Sequence, residues 1–221
     1  MNYQDVLIRR RLARAAKPFY NFTGPNDWGH IADVRDRASR MSRQLFGRGL
    51  TPEEYAAVLF HDCAKHDLGA DNHAQNSADR ARSILRRILA ANEADRALKA
   101  IELHDSNMAE FPSTTAELLA SADANPPELG WMLNKSWNWQ LRHGIQDPAA
   151  GVFAAMQPKY RHGGKFHFPG IYARYWGKHL EDMQSSMDEL TPERALAIVK
   201  AYREANGLKM DEPGQVAPVL R

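Results

Sequence analysis

The chain has 221 residues, a net charge of +2, 43% hydrophobic and 25% charged residues, and one cysteine. That length fits one domain able to bury a core, the balanced charge gives no bulk electrostatic pull toward nucleic acid, and a lone cysteine excludes a disulfide framework. No run approaches the ~18 apolar residues of a membrane span, and no apolar stretch follows Arg9, Arg10 and Arg11 as it would in a secretory leader, so a cytoplasmic enzyme with no membrane partner is expected.

Hydrophobic periodicity predicts helices almost throughout. Residues 3–17 read as a basic amphipathic helix stopped by Pro18, with Arg9, Arg10, Arg11 and Arg14 on a solvated face. A loop from Phe19 to Asp27 follows, and Asp27 can cap the next helix. That helix runs to Gly47 or Gly49 and carries the stripe Ile31, Val34, Ala38, Met41 and Leu45, with His30 in its first turn. Thr51-Pro52-Glu53-Glu54 starts the next, with Thr at the N-cap, Pro at N1 and Glu at N3. Tyr55 to Phe60 is apolar nearly all round, which makes this helix central; it is expected to end near His66-Asp67-Leu68-Gly69.

After a polar loop with Asp71, Asn72 and His73, helices are predicted at about 75–91, from about Glu93 to His104, and from Thr114 to Asp123. Residues 128–143 carry Trp131, Trp137 and Trp139, which read as packing residues beside Met132, Leu133 and Leu141. The segment Lys159 to His167 reads as a basic, glycine-containing loop, followed by helices at about 171–188 and 192–206. With no run of alternating strand character, the expected fold is an all-α bundle of about seven to nine helices. It would be a single helical domain over 1–207, with a metal core at about 25–126, a C-terminal helical extension at 127–207, and an extended or disordered tail at 208–221.

The chemistry-bearing residues centre on Leu59-Phe60-His61-Asp62-Cys63-Ala64-Lys65. Adjacent side chains on a helix diverge by about 100°, so His61 and Asp62 converge only on a point past the helix end. A divalent ion is the natural occupant, since imidazole and carboxylate are common metal ligands. The other helices supply further candidates at the ends of their apolar stripes. His30 precedes Ile31 and Val34, His104 is three residues after Ile101, and Asp123 is four after Leu119. His73 lies in the polar loop. Cys63 reads as a packing residue.

The ordered set His30, His61-Asp62, His73, His104, Asp123 resembles the HD-domain superfamily of metal-dependent phosphohydrolases, over roughly residues 25–126. His61-Asp62-x-x-Lys65 resembles its central motif, and His73-Ala74-Gln75-Asn76-Ser77-Ala78 resembles the helix start of its dinuclear branch. The resemblance implies that His30, His61, Asp62 and Asp123 hold a first metal ion. It implies that Asp62 bridges to a second held by His73 and His104. Asp105 stands where some dinuclear members carry a further His, and can ligate or orient. The donors suit iron, manganese, cobalt, nickel or zinc.

Two such ions about 3.5–4 Å apart can hold a bridging hydroxide that attacks phosphorus while both clamp the phosphoryl group. The implied activity is hydrolysis of a phosphoester or phosphoanhydride bond in a nucleotide or dinucleotide. Asp62 and Lys65 are the catalytic candidates; Lys65 either steadies a phosphate oxygen or leaving group, or is a solvated lysine at a helix end. Lys159, Arg161, His162, Lys165 and His167 alternate with Tyr160 and Phe166, a composition that suits a lid binding phosphates through cations and a base through aromatics. This segment is expected to cover the open side of the cluster. An HD-type diiron oxygenase cleaving a C–C or C–P bond shares the same ligand order, and a metal-poor nucleotide-sensing module is a third reading that six ligands argue against.

Overall fold

Stripes of apolar side chains at helical spacing become buried helix faces along the whole chain. The computed structural model describes residues 3–20, 28–65, 72–124 and 126–213. Among them are eleven α-helices and no strand: α1 (Tyr3–Ala16), α2 (Trp28–Phe46), α3 (Pro52–Phe60), α4 (His73–Ile88), α5 (Ala91–Leu103), α6 (Thr114–Asp123), α7 (Leu129–Arg142), α8 (Pro148–Tyr160), α9 (Gly170–Trp176), α10 (Lys178–Asp188) and α11 (Pro192–Ala205). A short 3-10 turn, Lys17–Phe19, follows α1 with Pro18 inside it. The all-α class is the one expected. The proposed Asp27 cap, His66, Asp67, Asp71 and residues 214–221 lie outside the described residues.

The helix count exceeds seven to nine for two reasons. The stretch before Lys159 forms α8, capped by the Asp147 carboxylate accepting from the Ala150 amide at 3.0 Å. The helix expected at 171–188 is broken at Gly177, whose φ of +44° glycine adopts more readily than any other residue. Lys159 and Tyr160 consequently close a helix rather than open a loop. Trp131 and Trp137 are buried as expected, whereas Trp139 is exposed and stacks on His143.

The chain divides into two compact units, Met1–Ala124 with Phe168–Tyr175, and Asn125–His167 with Trp176–Arg221. In the first, α3 is the hub and packs against α1, α2, α4, α5 and α6. Its residues from Ala56 to Phe60 are all buried, which is why the sequence there is apolar on every side. Ile31, Val34, Ala38 and Met41 of α2, Leu85 of α4, Leu98 and Ile101 of α5, and Leu118 and Leu119 of α6 close around it. Ile171 on the returning segment joins the same core, its amide donating to Glu117 Oε1 at 2.8 Å.

In the second unit α7, α8 and α11 pack together and α10 lies against α8. Arg203 on α11 is fully buried there, and among the described residues no carboxylate forms a salt bridge with it. Its guanidinium donates to Asn134 Oδ1 and Asn138 Oδ1, each at 2.8 Å, and to the carbonyls of Lys209 and Glu212. Trp137 Nε1 donates to the Met210 carbonyl at 3.1 Å. The start of the stretch expected to be an extended tail is thereby pinned to α7 and α11.

The start of α3 fixes where the candidate site falls. Thr51 caps it reciprocally with Glu54: the Thr51 hydroxyl accepts from the Glu54 amide, and Glu54 Oε2 accepts from the Thr51 amide at 2.7 Å. Glu54 is buried and also accepts both guanidinium nitrogens of Arg48, at 2.7 and 2.6 Å. Glu54→Ala should therefore cost about 2 kcal/mol, since it strands Arg48 and one cap donor, against about 1 kcal/mol for Thr51→Ala. Urea titration of the two variants checks the order.

Candidate metal centre

Regular α-helical bonding in α3 stops at Phe60, and the next residues form tightened turns, with Cys63 N donating to Phe60 O and Lys65 N to Asp62 O. His61, Asp62, Cys63 and Ala64 are all buried. Burial of a charged residue at a helix end needs outside partners, and four other helices provide them.

His30 from the first turn of α2, His61 and Asp62 after α3, and Asp123 closing α6 converge. His30 Nε2 lies 3.2 Å from His61 Nε2, 3.2 Å from Asp123 Oδ1 and 3.6 Å from Asp62 Oδ2. His61 Nε2 is 3.5 Å from Asp123 Oδ1 and 3.7 Å from Asp62 Oδ2. On the other side of the same carboxylate, Asp62 Oδ1 is 3.4 Å from His73 Nε2 and 3.6 Å from His104 Nε2, and those two nitrogens are 3.2 Å apart. Donors sharing one ion at about 2.0–2.2 Å stand about 3.0–3.6 Å from one another at near-octahedral or tetrahedral angles. The observed separations fall in or just beyond that span. Among the described residues, three overlapping groups could each hold a metal ion: His30, His61 and Asp62; His61, His104 and Asp123; and Asp62, His73 and His104.

The histidines are oriented for this. His61 Nδ1 donates to the Val58 carbonyl at 2.8 Å and His104 Nδ1 to the Ile101 carbonyl at 2.7 Å. A carbonyl only accepts, so each Nδ1 carries the proton and the neutral ring turns its Nε2 lone pair toward the cluster. In each close pair, His30–His61 and His73–His104 at 3.2 Å, the ring of fixed tautomer presents an acceptor, which either an N–H of the other ring or a shared cation satisfies. Asp62 Oδ1 is buried without a hydrogen bond of good geometry, which is the kind of orphaned buried acceptor that a cation would satisfy.

Burial alone would raise the carboxyl pKa values of Asp62 and Asp123, but the surrounding histidines outweigh it and hold both below the usual carboxylate range; Lys65 adds to this at Asp62. Burial alone would lower the His104 imidazole, yet Asp62 and Asp123 outweigh it and raise it. Lys65 Nζ donates to Asp62 Oδ2 at 2.9 Å, which ties this partly exposed lysine to the cluster. Asp105 is exposed and belongs to none of the three groups. Burial pushes the Cys63 thiol up to about 12, in keeping with a packing role.

Several positioning residues carry no signal in the local sequence. Tyr20 donates its hydroxyl to the Leu59 carbonyl at 2.7 Å, Arg37 Nε to the Ala122 carbonyl at 2.6 Å, and Arg80 to the Cys63 carbonyl at 3.0 Å. Ser77 Oγ accepts from the Ala64 amide at 3.1 Å. Asn72 takes a φ of +55°, a conformation that asparagine tolerates better than most side chains, and leads directly into His73 at the start of α4.

The basic segment belongs to the second unit. There Lys159 Nζ lies over the rings of Tyr160 and Phe166, and the Phe166 amide donates back to the Lys159 carbonyl at 2.9 Å. His162 Nδ1 donates to Asp188 Oδ2 at 2.5 Å and its Nε2 is 3.4 Å from Glu181 Oε1. Arg161 N donates to the Gln157 carbonyl and Lys165 N to the Pro158 carbonyl. Phe166, His167 and Phe168 lead without helix to α9.

No protein-family model, curated protein or solved structure matches the chain. No helix among the described residues is long and apolar enough to cross a membrane.

Asp62→Ala should remove bound metal, because Asp62 contributes an oxygen to two of the three groups; full metal content by plasma mass spectrometry in that variant would falsify the assignment. Because the His104 pKa is raised, its protonated form persists to higher pH, and metal must displace that proton. Metal affinity should fall as pH is lowered, and the fall should begin above the ordinary imidazole value of about 6.5. Calorimetry in buffers of different ionisation enthalpy should register proton release on binding.

Proposed function

We propose that this chain is a metal-dependent phosphohydrolase of the HD-domain type, cleaving a phosphoester or phosphoanhydride bond of a nucleotide or dinucleotide. The observation that supports this reading is the placing of Asp62 between two imidazole pairs. Its Oδ2 faces His30 and His61, and its Oδ1 faces His73 and His104. A carboxylate addressing two sets of donors through separate oxygens suits two ions better than one. In this reading His30, His61, Asp62 and Asp123 hold the first, and His73, His104 and Asp62 the second. Divalent ions bound there supply Lewis-acid stabilisation of a phosphoryl group and lower the pKa of water.

The chain's own residues do the rest. Asp62 stays ionised, because the neighbouring histidines and Lys65 favour its charged form. Val58 and Ile101 fix the His61 and His104 tautomers through their carbonyls. Lys65 uses one N–H on Asp62 Oδ2, which leaves two donors on its ammonium for a phosphoryl or leaving-group oxygen. His30, Asp123 and Lys65 are the partly exposed members of the cluster, so substrate meets the site on their side.

The test is metal analysis of protein purified without chelator, then anaerobic assay against nucleotides, cyclic nucleotides and dinucleoside polyphosphates. Phosphorylated product should form without oxygen, and activity should disappear on chelation. Turnover that stops without oxygen and breaks a C–C or C–P bond would replace this reading with the diiron oxygenase.

A further inference from the structure

We propose that the two halves of this centre release metal at different rates. The ion on His73, His104 and Asp62 Oδ1 is retained, the ion on His30, His61, Asp123 and Asp62 Oδ2 exchanges, and Lys65 sets the difference. The proposal rests on the two-ion reading above.

Access is the first reason. The side chains of His73, His104 and Asp62 are 8%, 1% and 1% exposed, so water and chelator reach that half poorly. The other half shares Asp62 and includes the fully buried His61, but it has an open edge, with His30 and Asp123 at 26% and 24%. An ion leaves by exchanging protein donors for water one at a time, and that exchange begins where water already stands.

The second reason lies in the carboxylate. Asp62 Oδ1 makes no hydrogen bond and keeps its lone pairs for a cation. Oδ2 is shared with the Lys65 ammonium at 2.9 Å. A shared oxygen is a poorer donor, and a fixed positive charge beside it repels a divalent ion. The effect is larger on the half that faces Oδ2, because Lys65 bonds that oxygen and its charge stands nearer the ion there.

Donor number runs the other way, four protein atoms against three, and by itself would make the first half the tighter at equilibrium. Release rate follows access and the adjoining charge instead. Lys65 is thus a tuning residue for the exchangeable ion, a role separate from any contact with substrate.

The test loads metal-free protein with Co²⁺ or Zn²⁺ and follows release to a chromogenic chelator by stopped flow. Two phases of equal amplitude are expected. His30→Ala should remove the fast phase and His73→Ala the slow one. Lys65→Met should slow the fast phase by about tenfold or more, since it removes a unit charge beside the ion, while Lys65→Arg retains the wild-type rate. Two ions leaving in a single phase, a slow phase that survives His73→Ala, or unchanged release in Lys65→Met overturns the proposal and leaves the two-ion reading standing. A total of one ion per chain overturns both.

Discussion

A carboxylate that is 1% exposed at the end of the central helix constrains everything around it. An isolated buried carboxylate is so unfavourable that it is protonated or surrounded by positive and hydrogen-bonding groups. Asp62 is surrounded: Lys65 is bonded to one oxygen, and four imidazole nitrogens lie within 3.7 Å of the two oxygens. Those groups come from α2, the turns after α3, the start of α4 and the end of α5. The helices must therefore meet at one pole, and the packing of Phe60, Ile101 and Leu119 beneath it holds them there.

The ends of the helices serve the same purpose. α3 stops at Phe60, α5 at Leu103 and α6 at Asp123, so three C-termini end beside the cluster. Their unsatisfied carbonyls carry partial negative charge, which favours a cation nearby. The carbonyls are also used as orienters. Val58 and Ile101 take the Nδ1 protons of His61 and His104, while Leu59 and Ala122 take Tyr20 and Arg37. Carbonyls at the helix ends thus become the fixed frame for side chains that need a single tautomer and direction.

The two units bury charge in contrasting ways. Around Asp62 the compensation comes from ionisable groups whose protonation couples to any bound cation. Around Arg203 it comes from asparagine amides and backbone carbonyls, which do not titrate, so the guanidinium acts as a strut for residues 209–212. Among the described residues the first arrangement leaves a buried anionic oxygen, Asp62 Oδ1, unsatisfied, whereas the second leaves an amide donor, Asn134 Nδ2; an orphaned carboxylate oxygen suits a cation and an orphaned N–H does not.

The sequence by itself determined the helical class, the centrality of α3 and the candidate ligands, because these depend on local periodicity, capping and residue type. Thr51, Pro52 and Glu54 specify a helix start wherever they occur, and Ala56 to Phe60 can be solvated nowhere. The helix from Pro148 to Tyr160 escaped because Gly151 and Pro158 break the local pattern while packing against α7 and α11 sustains the helix. Which oxygen of Asp62 faces which histidine, the bond from Lys65 to Oδ2, the withdrawal of Asp105 from the cluster, and the supporting roles of Tyr20, Arg37 and Arg80 were decided only by tertiary structure. Each depends on a contact between groups distant in the chain or on a side-chain direction, and residue spacing encodes neither.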